Sequence, residues 1–436
     1  MPSAAPVENS ASGDISQVVE HLFRHEAGKI IATLTRIFGL EHLTLAEDVV
    51  QEALIRALKT WPFYGVPSNP AGWIMRTARN LALDVVRREK VFRDKQAAIL
   101  LSLERGPSDS GAALADAPEI ADDRLRLMFV CCHPVIPAEA QVALALKTLG
   151  AFSVAEIAGA FLTSEAAIAK RLTRAKQTIR DARIPFEIPS GEELARRLDA
   201  VLQSLYLLFN EGYKASSGEA LVRREVCAEA IRLTTLLAGH QAGDLPKTHA
   251  LLALMLLDAA RLPARVDADG NLLLLKEQDR RLWDQAMIAQ GMFHLASSAS
   301  GTEIATYHLQ AGIAACHCAA PHYEATDWPH ILALYDRLME VDHSPVVALN
   351  RAVVVANIHG PTAGLQAVAS IQNREKLDGY YLFYAVLGEF EAQLDDPLAA
   401  AGYFRKSMQL AGTKSEQLFL SRRFEACKTA AEAAPA

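Results

Sequence analysis

Helical periodicity is the pattern that most constrains this chain. Apolar residues recur at three- and four-residue intervals from about residue 14 onward, and alternating runs of β-branched residues are nearly absent. Such a period buries one stripe of a helix and leaves the rest to solvent, so the expected class is all-α. The chain has 436 residues, 51% hydrophobic and 22% charged. That composition supplies sizeable cores and argues against global disorder. At roughly 100–200 residues per domain it suggests two to four domains. Turn-rich stretches containing Pro, Gly, Ser and Asn divide it into a flexible tail at 1–13, a helical block at 14–95, a linker at 96–120, a second block at 121–183 and a long helical region at 188–430.

The formal net charge of −7 is unevenly spread: residues 1–183 sum to +1 and the remainder to −8. A near-neutral front half still has room for basic stripes, so the whole-chain charge does not exclude nucleic acid. Six cysteines in a chain this long do not form a disulfide scaffold. The first residues lack a basic cluster followed by an apolar core. The longest uncharged apolar run, Ala250–Leu257, falls short of the roughly 18–20 residues of a membrane span. The expectation is a soluble, cytoplasmic protein with no membrane partner.

Three helices carry information. In Thr44–Thr60, Ala46, Val49, Val50, Ala53, Leu54, Ala57 and Leu58 form an apolar stripe, and Thr44 and Glu47 have capping-box spacing. Glu47, Asp48, Gln51, Glu52 and Ile55 lie off the stripe, as either a solvated acidic face or a partner surface. The second helix opens at Asn69-Pro70, with Ile74, Ala78, Leu81 and Val85 as its expected buried stripe. Trp73, Arg76, Arg79, Asn80, Leu83, Arg87 and Lys90 share the opposite surface. Cations neutralise phosphates, an amide reads base edges and a ring stacks, which suits a nucleic-acid strand; Trp73 fits the edge of the core equally well.

The third unit is the sharpest. Ser153 and Glu156 form a capping box opening a short helix, a break follows at Leu162–Thr163, and a second helix starts at Ser164. There Ile168, Leu172, Ala175 and Ile179 make a narrow stripe, opposite Ala166, Ala169, Lys170, Thr173, Arg174 and Gln177. A short helix, a tight turn and a basic helix with small residues near its start make a helix-turn-helix, whose second helix enters the major groove. The competing reading is an αα-hairpin with a solvated charged face.

These residues resemble a known family. Ala46-Glu47-Asp48-Val49-Val50-Gln51-Glu52-Ala53 is similar to the AEDLVQE helix of bacterial sigma factors, and Asn69–Ile74 with Arg79, Asn80 and Asp84 resembles the segment that follows it. Ala155–Ala158 and Ser164–Lys176 resemble the family's C-terminal helix-turn-helix. The order fits the group-four, extracytoplasmic-function branch, which keeps the second and fourth sigma domains. Leu83 stands where the family commonly has Ile. Cys131-Cys132-His133-Pro134, Ser204–Tyr213, Thr326–Trp328 and Ser344–Val353 resemble a sigma subfamily with a long extension related to tetratricopeptide arrays.

The resemblance implies a sigma factor without enzymatic activity. Glu47, Asp48, Gln51, Glu52 and Ile55 would dock on the clamp helices of the largest subunit of core RNA polymerase. Trp73, Arg76, Arg79, Asn80, Leu83 and Arg87 would engage the minus-ten element of promoter DNA. Ser164, Glu165, Ala166, Ala169, Lys170, Arg171, Thr173, Arg174 and Gln177 would read the minus-thirty-five element. The extension would regulate in cis or dock a protein or peptide partner. A helix-turn-helix regulator that does not join polymerase and a tetratricopeptide-type scaffold are the alternatives.

Pro361 and Pro397 open helices 36 residues apart, near the tetratricopeptide period of about 34, and Ala400 and Phe404 fit its A-x-x-x-F element. Upstream of residue 340 no period is visible. Cys131-Cys132-His133 and Cys316-His317-Cys318 lack the C-x₂-C loop and second half-site that wrap a tetrahedral ion, so they read as buried thiols, with redox sensing at Cys131 or Cys132 as a minor alternative; no metal and no cofactor are expected. Asn210-Glu211-Gly212-Tyr213 reads as a structural corner at which Gly212 ends a helix, or as part of a partner site.

Overall fold

The computed structural model describes residues 10–88, 122–161, 163–182, 184–189, 191–214, 222–241, 243–267, 271–301 and 304–433. The expected linker at 96–120 lies outside them, as do Lys90, Leu162, Arg183 and the expected tail up to residue 9; Ser10–Gly13 open the first helix. The class is all-α as expected: the described residues form eighteen α-helices joined by short 3-10 turns, with one isolated β-bridge between Val266 and Leu272. No described helix is long and apolar enough to cross a membrane. The chain divides into two compact units, Met1–Leu208 with His240–Ala242, and Phe209–Gly239 with Gly243–Ala436.

In the first unit, α1 (Ser10–Phe38), α2 (Leu43–Tyr64) and α3 (Pro70–Arg88) pack on one another. Gly39, at φ +95°, turns the chain out of α1. Asn69 Oδ1 accepts from the Gly72 N–H at 2.8 Å, and Pro70 occupies the first turn of α3, where its missing donor costs nothing. Four further helices follow: α4 (Asp123–Cys131), α5 (Ala138–Leu149), α6 (Val154–Ala160) and α7 (Glu165–Ala182). Helix α8 (Gly191–Tyr213) adds Leu194, Leu198, Val201, Leu202 and Leu205 to the buried set. It runs through Gly212 to Tyr213, so the expected corner does not end it there. A side chain at Gly212 would meet the Cys227 backbone nitrogen at 2.6 Å, so close packing explains this glycine.

The two expected helical blocks meet within this unit. Helices α4 and α5 lie against α1, and α7 packs on α5 and on the 3-10 turn Leu40–His42. The Arg124 guanidinium, 4% exposed, donates to the Leu149 carbonyl at 2.7 Å, satisfying an orphan acceptor at the end of α5. Arg36 pairs with Asp123 at 2.9 Å. At Gly28 of α1 the backbones come so close that a Cβ would sit 2.3 Å from the Leu149 oxygen.

The second unit contains α9 (Arg224–Ala238), α10 (Pro246–Ala259), α11 (Gln285–Ser298), α12 (Thr306–Ala319), α13 (Trp328–Val341), α14 (Pro345–His359), α15 (Pro361–Ala369), α16 (Tyr381–Gln393), α17 (Pro397–Leu410) and α18 (Lys414–Ala433). Its cores join neighbours along the chain. Leu309, Ile313, Ile331, Leu338, Val347 and Val354 link α12 to α14. Leu349, Ala352, Val368, Phe383 and Phe390 link α14 to α16, and Ala400, Phe404, Leu420 and Cys427 tie α17 to α18. This is the organisation of a helical repeat array, in which each element contacts chiefly its neighbours. The A-x-x-x-F pair Ala400 and Phe404 is fully buried.

Gly28→Ala tests the closest approach in the first unit. The obstacle is backbone and cannot swing aside, so the substitution should destabilise by about 1–3 kcal/mol. Thermal melting reads it; a variant as stable as the wild type would contradict the approach.

Candidate nucleic-acid and polymerase interface

Helix α2 buries Ala46, Val49, Val50, Ala53, Leu54 and Ala57 as its pattern requires. Leu58, expected in that stripe, is exposed, and Trp61, further along the same helix, is buried. Asp48, Gln51, Glu52 and Ile55 are exposed together on the outer side, with Glu52 held by Arg56 at 2.9 Å. Glu47 departs from expectation. Thr44 lies inside the helix rather than capping it, and the Glu47 carboxylate is buried, accepting from Thr148 Oγ1 at 3.1 Å and from Lys176 Nζ on α7. Its partners lie 101 and 129 residues away in sequence.

In α3 the buried line runs through Ile74, Ala78, Ala82 and Val86, one residue on from the expected Leu81 and Val85, which are half-buried. Trp73 is half-buried and meets Trp61 edge to face, with centroids 5.5 Å apart. Its ring therefore belongs partly to the core while keeping an accessible side. Arg76, Asn80 and Arg87 are exposed, and Arg79 and Leu83 half-buried. Sequence reasoning missed Phe63 and Tyr64, which close α2 at 83% and 86% exposure. Two aromatic residues inside a Pro- and Gly-rich turn were the available signal, since rings left in water beside a cationic helix suit base stacking.

The α6–α7 pair folds as its residues dictate. Ser153 and Glu156 make both hydrogen bonds of the capping box. Ile168, Leu172, Ala175 and Ile179 are all buried. Ala166, Ala169, Lys170, Thr173, Arg174 and Gln177 are exposed along the opposite side. Several expected DNA-facing side chains have internal tasks. Ser164 Oγ accepts from the Ala167 N–H at 3.3 Å, Thr173 Oγ1 donates to the Ala169 carbonyl, Gln177 donates to Asp181, and Arg171 pairs with Glu139 at 2.8 Å. Glu165 is exposed in the first turn. Lys170, Arg174 and, a turn or two further on, Arg180 are exposed cations of α7 without an ion pair among the described residues.

Cys131 and Cys132 are fully buried, and burial raises both thiols, Cys132 to about 12. Neither is a thiolate near neutrality, which removes the nucleophile that redox sensing needs. Among the described residues no cluster of three or more His, Cys, Asp or Glu side chains is placed to hold a metal ion.

Lys176→Met should destabilise by about 1–3 kcal/mol in urea unfolding, because it leaves Glu47 buried with one neutral donor. Adding Glu47→Leu should recover much of that loss, and additive losses would contradict a direct pair. Iodoacetamide at pH 8 should leave Cys131 and Cys132 unlabelled in the folded protein and label both after denaturation. Because folding raises these thiols, their contribution to stability is complete below the ordinary thiol value and falls as pH rises from about 9 toward 12.

Residues 22–91 match the Sigma-70 region 2 family, and residues 197–299 match a family of unknown function, DUF6596. An uncharacterized protein of Rhizobium meliloti is 41% identical over 91% of this chain and 92% of its own length. The ECF RNA polymerase sigma factor SigE of Mycolicibacterium smegmatis is 28% identical over 37% of this chain and 60% of its own length. A probable RNA polymerase sigma factor, RfaY of Xanthomonas campestris pv. campestris, is 28% identical over 31% of this chain and 33% of its own length. The chain thus spans less than two thirds of either sigma factor. No solved structure matches it. A region 2 domain at its front, sigma factors among its relatives and the DUF6596 segment in its long helical extension support an extracytoplasmic-function type of sigma factor.

Proposed function

We propose that this sigma factor binds core RNA polymerase through the exposed acidic side of α2, with Asp48, Gln51, Glu52 and Ile55 on the clamp helices of the largest subunit. The α3 surface of Trp73, Arg76, Arg79, Asn80, Leu83 and Arg87 engages the minus-ten element, and α7 reads the minus-thirty-five element. The domains are then 14–95 and 121–183, with 96–120 between them and 188–430 as an in-cis regulator or partner-docking extension. The observation that carries this reading is α7, whose only buried side is the four-residue stripe and whose opposite side presents Ala166, Ala169, Lys170 and Arg174 to solvent. Small residues at the start of the helix allow close entry into the groove while the two cations reach bases or phosphates.

The geometry adds a condition. Elements centred about 25 base pairs apart lie about 85 Å apart along B-DNA at 3.4 Å per pair. A compact unit of 208 residues has a radius of gyration of only about 17 Å. The first unit therefore cannot touch both elements as it stands. In this reading, binding to polymerase parts the α1–α3 block from α4–α7 and breaks the Glu47–Lys176 pair, which frees Glu47 for the clamp helices.

Capture of core polymerase tests the reading: wild type should retain it and the Asp48→Ala/Gln51→Ala/Glu52→Ala variant should not. Equal capture would overturn the α2 assignment. Arg174→Ala should weaken promoter binding by holoenzyme and lower its log–log salt slope by about one, whereas Lys170→Ala should shift base preference at one or two upstream positions. Silence of both would overturn the α7 assignment. Removing residues 214–436 keeps α8 and should change promoter-dependent output, upward for inhibition in cis and downward for assistance; unchanged output would overturn a regulatory extension.

A further inference from the structure

We propose that a groove in the second unit, running across α12–α18, binds an uncharged, extended peptide segment by its backbone, with Asn350 and Asn357 gripping peptide units three residues apart. The proposal deepens the docking reading of the extension and rests on it, but not on the sigma activity of the front half.

The groove encloses a cavity of about 510 Å³, within the usual range of a ligand site. Helix α14 contributes Asn350, Val353 and Asn357, which share one face at i, i+3 and i+7. Seven residues of helix rise about 10.5 Å, and three residues of an extended polyproline II chain span about 9 Å and bring the peptide unit back to the same side. Successive asparagines therefore keep step with every third peptide unit. Each carboxamide offers both a donor and an acceptor, which complements a peptide carbonyl and N–H. Asn357 is already oriented: its Oδ1 accepts from the Tyr323 hydroxyl at 2.8 Å and its Nδ2 donates to the Val353 carbonyl at 2.9 Å. One N–H and one lone pair remain for a ligand. Asn350 is exposed and has no hydrogen bond among the described residues.

The two carboxylates of the groove are paired from within. Glu389 accepts from two Arg423 nitrogens, Nε at 2.6 Å and Nη2 at 2.7 Å. Glu416 accepts from the Tyr381 hydroxyl and lies 3.7 Å from Lys214. At the far end, burial keeps His317 neutral, and its Nδ1 is buried with no hydrogen-bond partner beside Trp328. Apart from Lys276, the groove offers neutral hydrogen-bonding groups over an apolar floor of Val353 and Val386. Lys276 is exposed, where an ion pair contributes little, so a phosphate finds no buried counter-charge there. A peptide backbone in the polyproline II conformation, with every third residue facing the floor, finds both partners it needs.

The probe is a phage-displayed library of random linear nine-residue peptides, selected on the full-length protein and measured by fluorescence anisotropy. Enriched peptides should lose affinity about tenfold with Asn350→Ala and again with Asn357→Ala. N-methylation of peptide nitrogens three residues apart should have a similar effect, while neutralising any peptide charge should have little. Asn350 is exposed, so its variant should melt like the wild type, and Asn350→Ser repeats the test with a smaller change. Absence of enrichment, equal binding to the double alanine variant, affinity that follows peptide charge, or occupation of the groove only by small aromatic fragments would each overturn the proposal. Promoter-dependent transcription by the double variant with core polymerase reads the sigma activity separately and should be unchanged.

Discussion

A buried guanidinium sets the geometry of the front half. Arg124 leaves water to bond the last carbonyl of α5, and the absence of a side chain at Gly28 lets α1 approach that same carbonyl. A charge placed there without its acceptor would be costly, so the position of α4 relative to α5 is strongly constrained. Helix α7 inherits that placement because it packs on α5. The face that presents Lys170 and Arg174 is thus oriented by residues that never touch it. Arg36–Asp123 and Glu47–Lys176 add two further ties across the same seam.

The second unit is held together on another principle. Its apolar clusters each span about three successive helices, and Phe404, Phe390 and Leu338 serve neighbours rather than a common centre. Gly364 and Gly388 let rings of adjacent helices approach to about 3 Å of where a Cβ would stand. A stack of this kind creates a long concave surface from ordinary helices, since every inward-facing side chain is repeated with the helix on which it sits.

Much of the local structure was legible in the residues. The Ser153–Glu156 capping box, the Asn69–Pro70 start and the four-residue stripe of α7 depend on neighbours within a turn or two, and each forms as its spacing predicts. Departures occur where distant residues decide. Glu47 has the spacing of a local cap, yet its partners, Thr148 and Lys176, come from the other helical block. In α3 the buried line is shifted by one position, from Leu81 and Val85 to Ala82 and Val86, which packing against α1 and α2 decides rather than the local pattern. Gly212 looks like a stop signal, but its role is to let α8 approach Cys227. The repeat period was visible only where Pro361 and Pro397 open successive helices, because irregular connections before residue 340 break the spacing.

Cores confined to neighbours have an evolutionary corollary. A helix pair duplicated or deleted within such a stack disturbs only the two joints beside it, so the array can lengthen or shorten in steps of roughly 35 residues while remaining foldable. The front half has no such freedom, since its seam joins residues a hundred positions apart. Lineages of this protein should therefore diverge in size at the tail while the front half keeps a fixed length.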